Sequence, residues 1–156
     1  MWYSKRKHLK GTAMEIERKF LIKELPENLE SYPCLLIEQA YLCRNPVVRV
    51  RRQNDDYYMT YKGRGLMVRE EYNLPLNAEA YEHLKAKADG RTITKRRYCI
   101  PLGELIIELD LFSSPRDLIM AEVEFPTEEA ALAFTPPHWF GEDVTNDIRY
   151  HNSNMI

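Results

Sequence analysis

Apolar and charged residues alternate along most of this chain, which is the pattern of β-strands whose two faces meet different environments. Ile16, for example, lies between Glu15 and Glu17. Side chains two positions apart on a strand point to the same face, so charged residues collect on one side. With turn signals rich in Asn, Asp, Gly and Pro, the alternation predicts eight strands, near residues 14–23, 37–43, 46–53, 57–62, 66–75, 92–100, 104–112 and 118–125.

Helix signals are fewer than strand signals. Asn77 and Thr127 are the expected N-caps, because a short side-chain oxygen there can accept a hydrogen bond from the first turn. Two helices and two shorter helical turns are predicted, at 78–88, at 128–134, near 26–31 and after Val144. The fold class is therefore α+β, and mainly β.

Short connections between consecutive strands imply antiparallel pairing. Eight antiparallel strands can close into a barrel whose interior holds side chains or one small ligand. We therefore expect an eight-stranded antiparallel closed β-barrel, a tunnel with a charged interior, and a few helices that cover its apolar outer face. An open sheet with one solvated charged face is the alternative, because it would show the same alternation.

Length and composition limit the classes of protein. The 156 residues suffice for one domain with a sizeable core, and the net charge of −2 argues against a general nucleic-acid binder. No apolar run approaches the roughly 18 residues that span a bilayer. Three scattered cysteines without a C-x-x-C motif indicate reduced thiols, so we expect a cytoplasmic protein that binds neither nucleic acid nor membrane. Residues 1–13 are interpreted as a flexible leader and 14–156 as a single tunnel domain.

Pairs of acidic residues two positions apart suggest a metal site. Neighbouring carboxylates repel one another unless a cation neutralises them, and hard divalent cations such as Mg²⁺ or Mn²⁺ prefer oxygen ligands. A solvent-exposed strand face would also show this spacing, but its recurrence on several strands favours the metal site. The candidate metal ligands are Glu15, Glu17, Glu108, Asp110, Glu122 and Glu124.

Basic residues on the same period suggest an anion site. Arg grips phosphate with a planar fork, and Lys acts as a mobile point charge. The opposite phase of Arg52 and Arg96, and the turn position of Arg64, direct those three side chains to water. The candidate substrate-binding residues are Lys19, Arg49, Arg51, Lys62, Arg69, Lys95 and Arg97.

In their order and spacing these motifs resemble the CYTH family, also called triphosphate tunnel metalloenzymes. The resemblance begins at Met14 and covers nearly the whole chain. It is carried by E-I-E-R-K-F at Glu15–Phe20, R-V-R at Arg49–Arg51, Tyr61-Lys62, R-E-E-Y at Arg69–Tyr72, K-R-R-Y at Lys95–Tyr98, E-L-D at Glu108–Asp110, A-E-V-E-F at Ala121–Phe125 and the stretch Trp139–Tyr150. Q-A-Y-L at Gln39–Leu42 is similar to compact bacterial members that act on inorganic tripolyphosphate.

The resemblance implies a tunnel in which basic residues grip a triphosphate and carboxylates hold Mg²⁺ or Mn²⁺. It implies main metal ligands at Glu15, Glu17, Glu122 and Glu124, with support from Glu71, Glu108 and Asp110. Lys19 is expected to be catalytic, and Lys95 and Glu71 are the candidate general bases. One position departs from the pattern, because Asn73 stands where many members carry a second Glu, which weakens the case for a second metal.

The expected reaction is metal-dependent hydrolysis of tripolyphosphate, or of a related small-molecule triphosphate, to pyrophosphate and phosphate. The alternatives are a class IV adenylate cyclase, which converts ATP to cyclic AMP and pyrophosphate, a thiamine triphosphatase, and a non-catalytic binder of triphosphate or polyphosphate. Barrel closure leaves no free sheet edge, so a homodimer would have to use an outer face or a helix.

Overall fold

One twisted antiparallel sheet accounts for most of the described residues, 14–156, of the computed structural model. The predicted leader, 1–13, lies outside the described residues. The strands are β1 (Met14–Ile22), β2 (Cys34–Arg44), β3 (Val47–Gln53), β4 (Asp56–Lys62), β5 (Val68–Leu76), β6 (Asp89–Leu102), β7 (Leu105–Ser114), β8 (Leu118–Glu124) and β9 (Phe140–Asp143). All eight predicted strands are present, and β2 and β6 begin three residues earlier than the alternation indicated. The ninth strand was not predicted.

The sheet closes because β1 carries neighbours on both of its edges. Around the barrel the order is β1-β5-β4-β3-β2-β6-β7-β8 and back to β1. Residues 14–16 of β1 pair with β5, and residues 17–21 pair with β8 on the opposite edge. The short β9 pairs at Phe20 and Ile22, on the edge that β5 has left. The fold is therefore the predicted closed eight-stranded barrel, and the open-sheet alternative is wrong.

Two short helices cover the outer apolar face, as predicted. They are α1 (Ala78–Lys85) and α2 (Glu128–Ala133), and short 3₁₀ turns occupy Leu29–Ser31, Ile148–Tyr150 and Asn152–Asn154. The N-caps are confirmed, because Asn77 Oδ1 accepts from the Ala80 amide at 2.7 Å and Thr127 Oγ1 accepts from the Ala130 amide at 3.1 Å. Neither α-helix of the described residues is long and apolar enough to cross a membrane. The three cysteines are free thiols.

Helix packing explains why the apolar face can point outward. Tyr81 of α1 is fully buried against Ala40 and Val50, while Ala131 of α2 packs in a cluster with Phe20 and Leu109. Burying apolar area in this way supplies the main stabilisation that the charged interior does not provide. The barrel therefore has its hydrophobic core outside the strands and its polar groups inside.

The interior is charged only in its middle section. Along β6 the inward side chains run Ile93, Lys95, Arg97 and Cys99, so the two cations lie between two buried apolar residues. Cys99 packs with Leu35 and Ile37 of β2 towards one end of the barrel. Ile93 belongs to a second cluster, towards the other end, that includes Tyr41, Val47, Phe112, Met120 and Val144 and is covered by the chain's last residues.

Candidate active site

Charged side chains from different strands meet inside the barrel. Lys62 of β4 places its Nζ 3.0 Å from Oε1 of Glu15 on β1. Arg97 of β6 places Nη2 3.4 Å from Oε2 of Glu122 on β8. One strand separates the two members of each pair, so these side chains meet over the intervening strand, on the inward face of the barrel. The prediction that the charged faces share one interior is confirmed.

Two lysines each contact two carboxylates on one side of the lumen. Lys19 Nζ lies 3.1 Å from Oε1 of Glu17 and 3.1 Å from Oε1 of Glu122. Lys62 Nζ contacts Glu15 and also lies 3.3 Å from Oε2 of Glu71. The alternation that put these residues on inward faces therefore brings acidic and basic pairs into direct contact.

The acidic group carries more negative charge than its lysines can satisfy. Burial, together with repulsion from Glu122 and Glu15, raises the pKa of Glu17 to about 7. Burial also opposes ionisation of Glu122, yet Lys19, Arg97 and Lys95 hold its pKa well below the usual range. Burial would lower the pKa of Lys19, but Glu122 and Glu17 raise it. One carboxyl of this group is thus poised to lose its proton when a further cation arrives.

The guanidinium of Arg97 is ion-paired with carboxylates. Its Nε and Nη2 donate to the two oxygens of Asp110, each at 2.7 Å, and its Nη1 donates to Glu108. Lys95 Nζ donates to Oδ2 of Asp110 at 2.7 Å, and both side chains are wholly buried. Burial lowers the pKa of Lys95 to about 7 despite this partner. These four residues form a compact network rather than an open grip for an anion.

Arg49 and Arg51, in contrast, have only neutral partners. Arg49 Nη2 donates to the hydroxyl of Thr60 at 3.0 Å, and neither arginine is ion-paired with a carboxylate of residues 14–156. Arg51 donates to Oε1 of Gln39 at 2.8 Å and to the hydroxyl of Tyr58 at 3.2 Å. Buried charges usually have a counter-charge, so two uncompensated guanidinium groups mark a place that an anion can fill.

These groups surround a cavity of about 470 Å³, a volume that includes its open mouth. Its lining has six Lys or Arg side chains and three Glu, an excess of three positive charges with every group ionised. Nine of the residues singled out from the sequence line it: Glu17, Lys19, Arg49, Arg51, Lys62, Arg69, Glu71, Arg97 and Glu122. Glu15, Lys95, Glu108 and Asp110 are buried beside the cavity without lining it, and Glu124 is half-buried outside the lining.

The C-terminal segment supplies lining residues that sequence reasoning missed. His151, Asn152 and Ser153 line the cavity. Asn152 Oδ1 accepts from Gln39 Nε2 at 3.3 Å and from Lys95 Nζ at 3.2 Å. No strand period runs through this segment, so nothing in its local pattern indicated that it would reach the lumen. Thr60 and Gln39 could have been found, because they share the inward period of Lys62 and Tyr41.

The carboxylates fit a divalent cation, although Lys19 and Lys62 now lie among them. Among residues 14–156, no group of three or more His, Cys, Asp or Glu side chains is already arranged as a metal cage. Oxygen is nevertheless the donor that the acidic group offers, and its four carboxylates share only two lysines. A hard cation such as Mg²⁺ or Mn²⁺ matches that donor set.

Comparison with known proteins gives a consistent result. The family model described as the CYTH domain matches residues 13–135. An inorganic triphosphatase of Nitrosomonas europaea is 42% identical over 150 residues, which cover 90% of this chain and 95% of that protein. An inorganic triphosphatase of Acetivibrio thermocellus is 35% identical over 152 residues, which cover 91% and 92%. A crystal structure of an inorganic triphosphatase matches with a TM-score of 0.65 and 38% identity, over 90% of this chain and 93% of that one.

Proposed function

This chain belongs to the CYTH domain family, and on that premise we propose that it is a metal-dependent hydrolase that cleaves inorganic tripolyphosphate to pyrophosphate and phosphate. The observation that carries the proposal is the uncompensated positive charge of the cavity. Arg49 and Arg51 are buried there without a carboxylate partner among residues 14–156, whereas Arg97, Lys19 and Lys62 are ion-paired. A small polyanion supplies the missing charge.

The proposed metal site is the acidic group of β1 and β8. Glu15, Glu17 and Glu122 would hold a divalent cation, Mg²⁺ or Mn²⁺, and Glu71, which faces them across Lys62, would be a supporting part of the same site. A cation held there would supply Lewis-acid chemistry, drawing electron density from the phosphoryl group and neutralising developing charge. Glu108 and Asp110 are engaged by Arg97, so we assign them the role of holding that arginine in place.

The proposed anion grip consists of Arg49, Arg51 and Arg69, with Lys19 and Lys62. Arg69 donates to the Gly63 carbonyl and, among residues 14–156, is ion-paired with no carboxylate, so its remaining donors are available to phosphate. Several fixed cations in a water-poor cavity hold the phosphates in line and stabilise charge in the transition state. Phosphoryl transfer needs little more from a protein than this positioning.

Of the two candidate general bases, Glu71 is the better placed. It lines the cavity, and its Oε2 accepts no hydrogen bond from residues 14–156, although the Lys62 ammonium lies 3.3 Å away. Lys95 does not line the cavity, and its Nζ is occupied by Asp110 and Asn152. We therefore assign the orientation of the attacking water to Glu71, and to Lys95 the role of holding Asp110 and Asn152.

The lining favours an inorganic substrate over a nucleotide. Tyr41 and Val47 are the only apolar or aromatic side chains that the described residues contribute to it, besides the imidazole of His151. A nucleobase is normally bound against a larger apolar or aromatic surface. This supports hydrolysis of tripolyphosphate over the cyclisation of ATP.

A substrate panel tests the proposal. Purified protein with Mg²⁺ or Mn²⁺ is offered tripolyphosphate, ATP and thiamine triphosphate, and both phosphate and cyclic AMP are measured. We expect phosphate release, fastest from tripolyphosphate. Cyclic AMP as the main product would identify a cyclase, faster cleavage of thiamine triphosphate would change the substrate, and binding without turnover would identify a triphosphate binder.

The cellular setting is also part of the proposal. Three free thiols support a cytoplasmic location, where reduced cysteines persist. A homodimer would use an outer face of the barrel, such as that of β4 and β5, where Tyr61, Tyr72 and Leu74 are exposed.

A further inference from the structure

A chain of hydrogen bonds joins the anion side of the cavity to its acidic side. Arg49 Nη2 donates to Thr60 Oγ1 at 3.0 Å, and Thr60 Oγ1 donates to Asn73 Oδ1 at 2.6 Å. Asn73 Nδ2 then donates to Glu71 Oε1 at 2.8 Å. This series of hydrogen bonds crosses three neighbouring strands, β3, β4 and β5, on their inward faces.

The two charged groups at the ends, the Arg49 guanidinium and the Glu71 carboxylate, determine which group donates and which accepts in every one of these hydrogen bonds. A guanidinium can only donate and a carboxylate can only accept. Because the Thr60 hydroxyl accepts from Arg49, its single proton is left for Asn73. Asn73 must therefore accept with its oxygen and donate with its nitrogen. The amide does both, whereas an ionised carboxylate at this position could accept from Thr60 but would have no proton to donate to Glu71.

Neither middle residue touches the cavity. Thr60 is fully buried, Asn73 is partly buried, and neither side chain belongs to the lining, whereas Arg49 and Glu71 both do. With Oε1 of Glu71 held by Asn73, its Oε2 is the oxygen turned to Lys62, at 3.3 Å. Thr60 and Asn73 can therefore influence a bound ligand only through Arg49 and Glu71.

We propose that Asn73 is a positioning residue, which holds Glu71 directly and Arg49 through Thr60 in the orientations that a divalent cation and a phosphate require. This inference rests on the proposed function, since it takes Arg49 as part of the anion site and Glu71 as part of the cation site. Held groups lose less conformational freedom when their ligands bind, so one amide strengthens both binding events.

Two binding measurements without turnover test this role. Calorimetry measures tripolyphosphate binding in EDTA and, separately, Mn²⁺ binding without substrate. The variants are Asn73→Leu, which removes both links of the amide, and Thr60→Val, which removes the hydroxyl in the middle. Thr60→Ser retains the hydroxyl, and Tyr72→Phe changes an outward side chain of the same strand as a control. Thermal unfolding shows which variants are folded.

For Asn73→Leu we expect about tenfold weaker Mn²⁺ binding, because the hydrogen bond to the Glu71 carboxylate is lost. Tripolyphosphate binding is also expected to weaken about tenfold, because the Thr60 hydroxyl loses the acceptor that fixes it against Arg49. Thr60→Val is expected to weaken tripolyphosphate binding about tenfold. The double variant Thr60→Val/Asn73→Leu is expected to bind tripolyphosphate no more weakly than Asn73→Leu alone, because both substitutions break the same series of hydrogen bonds. Thr60→Ser and Tyr72→Phe are expected to remain within about twofold of the original protein.

A folded Asn73→Leu protein that binds both ligands within twofold of the original would overturn the inference. If Asn73→Leu does not fold, the test is the affinity for tripolyphosphate of Thr60→Val compared with that of Thr60→Ser. Equal affinities of these two variants would overturn the inference. Failure of the unchanged protein to bind tripolyphosphate would instead contradict the proposed function, so the two failures are distinguishable.

Discussion

Lys19 and Glu122 stand directly opposite each other in the ladder between β1 and β8, and Lys19 Nζ lies 3.1 Å from Glu122 Oε1. The same ammonium is 3.1 Å from Glu17. It therefore occupies the centre of the carboxylate group that we assign to a divalent cation. Binding of the cation requires Lys19 to share or surrender these oxygens, which would free its charge for phosphate.

Replacing Lys19 tests this arrangement. Lys19→Met leaves Glu17 and Glu122 buried without their ammonium, which is expected to cost about 3 kcal/mol of unfolding free energy in EDTA. Mn²⁺ should restore much of that stability, because it neutralises the same oxygens. Turnover should fall more than about a hundredfold, as the loss of a transition-state cation implies. Thermal unfolding with and without Mn²⁺, beside a phosphate assay, measures both effects.

The control for that experiment is Lys23→Met, which alters an exposed lysine just beyond β1. It should leave the melting temperature and the rate unchanged. Near-normal turnover in Lys19→Met would remove Lys19 from the site.

The pKa of Glu17 predicts opposite effects of pH on stability and on metal affinity. The folded protein keeps this proton to about pH 7, whereas an ordinary glutamate releases it near 4.5. The folded state binds more protons between those values, so the metal-free protein should lose stability as pH rises through this window, by about 3 kcal/mol. Denaturant titrations in EDTA at several pH values measure this slope.

Metal binding should respond in the opposite sense, because a ligand carboxylate must be ionised. With a pKa near 7, Mn²⁺ affinity should rise about tenfold between pH 6 and pH 8. Glu17→Gln should bind Mn²⁺ more weakly and should lack most of both pH effects. An unchanged pH dependence in this variant would assign the titration to another group.

Neighbouring arginines of β3 provide a matched pair for the anion grip. Arg51 is buried in the lumen, whereas Arg52 points outward and is exposed. Arg51→Met should raise the KM for tripolyphosphate at least about tenfold, because one charge-assisted contact is lost. Arg52→Met should leave KM within about twofold of the original value. Equal effects of the two substitutions on KM would show that only net charge matters, and would remove Arg51 from the grip.

The period-two alternation predicted the eight strands, and their number and short connections favoured a barrel, although an open sheet would show the same alternation. It also separated inward from outward cations, as the exposure of Arg52 and Arg96 confirms. It could not predict β9, since Phe140–Asp143 is only four residues long and depends on the edge that β5 leaves free on β1.

The different roles of the inward-facing arginines and lysines could not be predicted from the sequence either. Arg51 and Arg97 look alike in their local pattern, but Arg97 faces Asp110 and Glu108 while Arg51 faces Gln39 and a tyrosine. That difference depends on the register between neighbouring strands and on contacts across the lumen, neither of which the spacing within one strand contains. The same limit applies to Asn152, which reaches the cavity from an irregular segment.

Phosphorus NMR of the reaction products tests the central claim most directly. With Mg²⁺ or Mn²⁺, the protein should convert tripolyphosphate to equal amounts of pyrophosphate and phosphate. The conversion should stop in EDTA and in Glu122→Ala, and a thermal unfolding transition should show that this variant is still folded. Unchanged tripolyphosphate in the presence of metal, or undiminished cleavage by Glu122→Ala, would contradict the account.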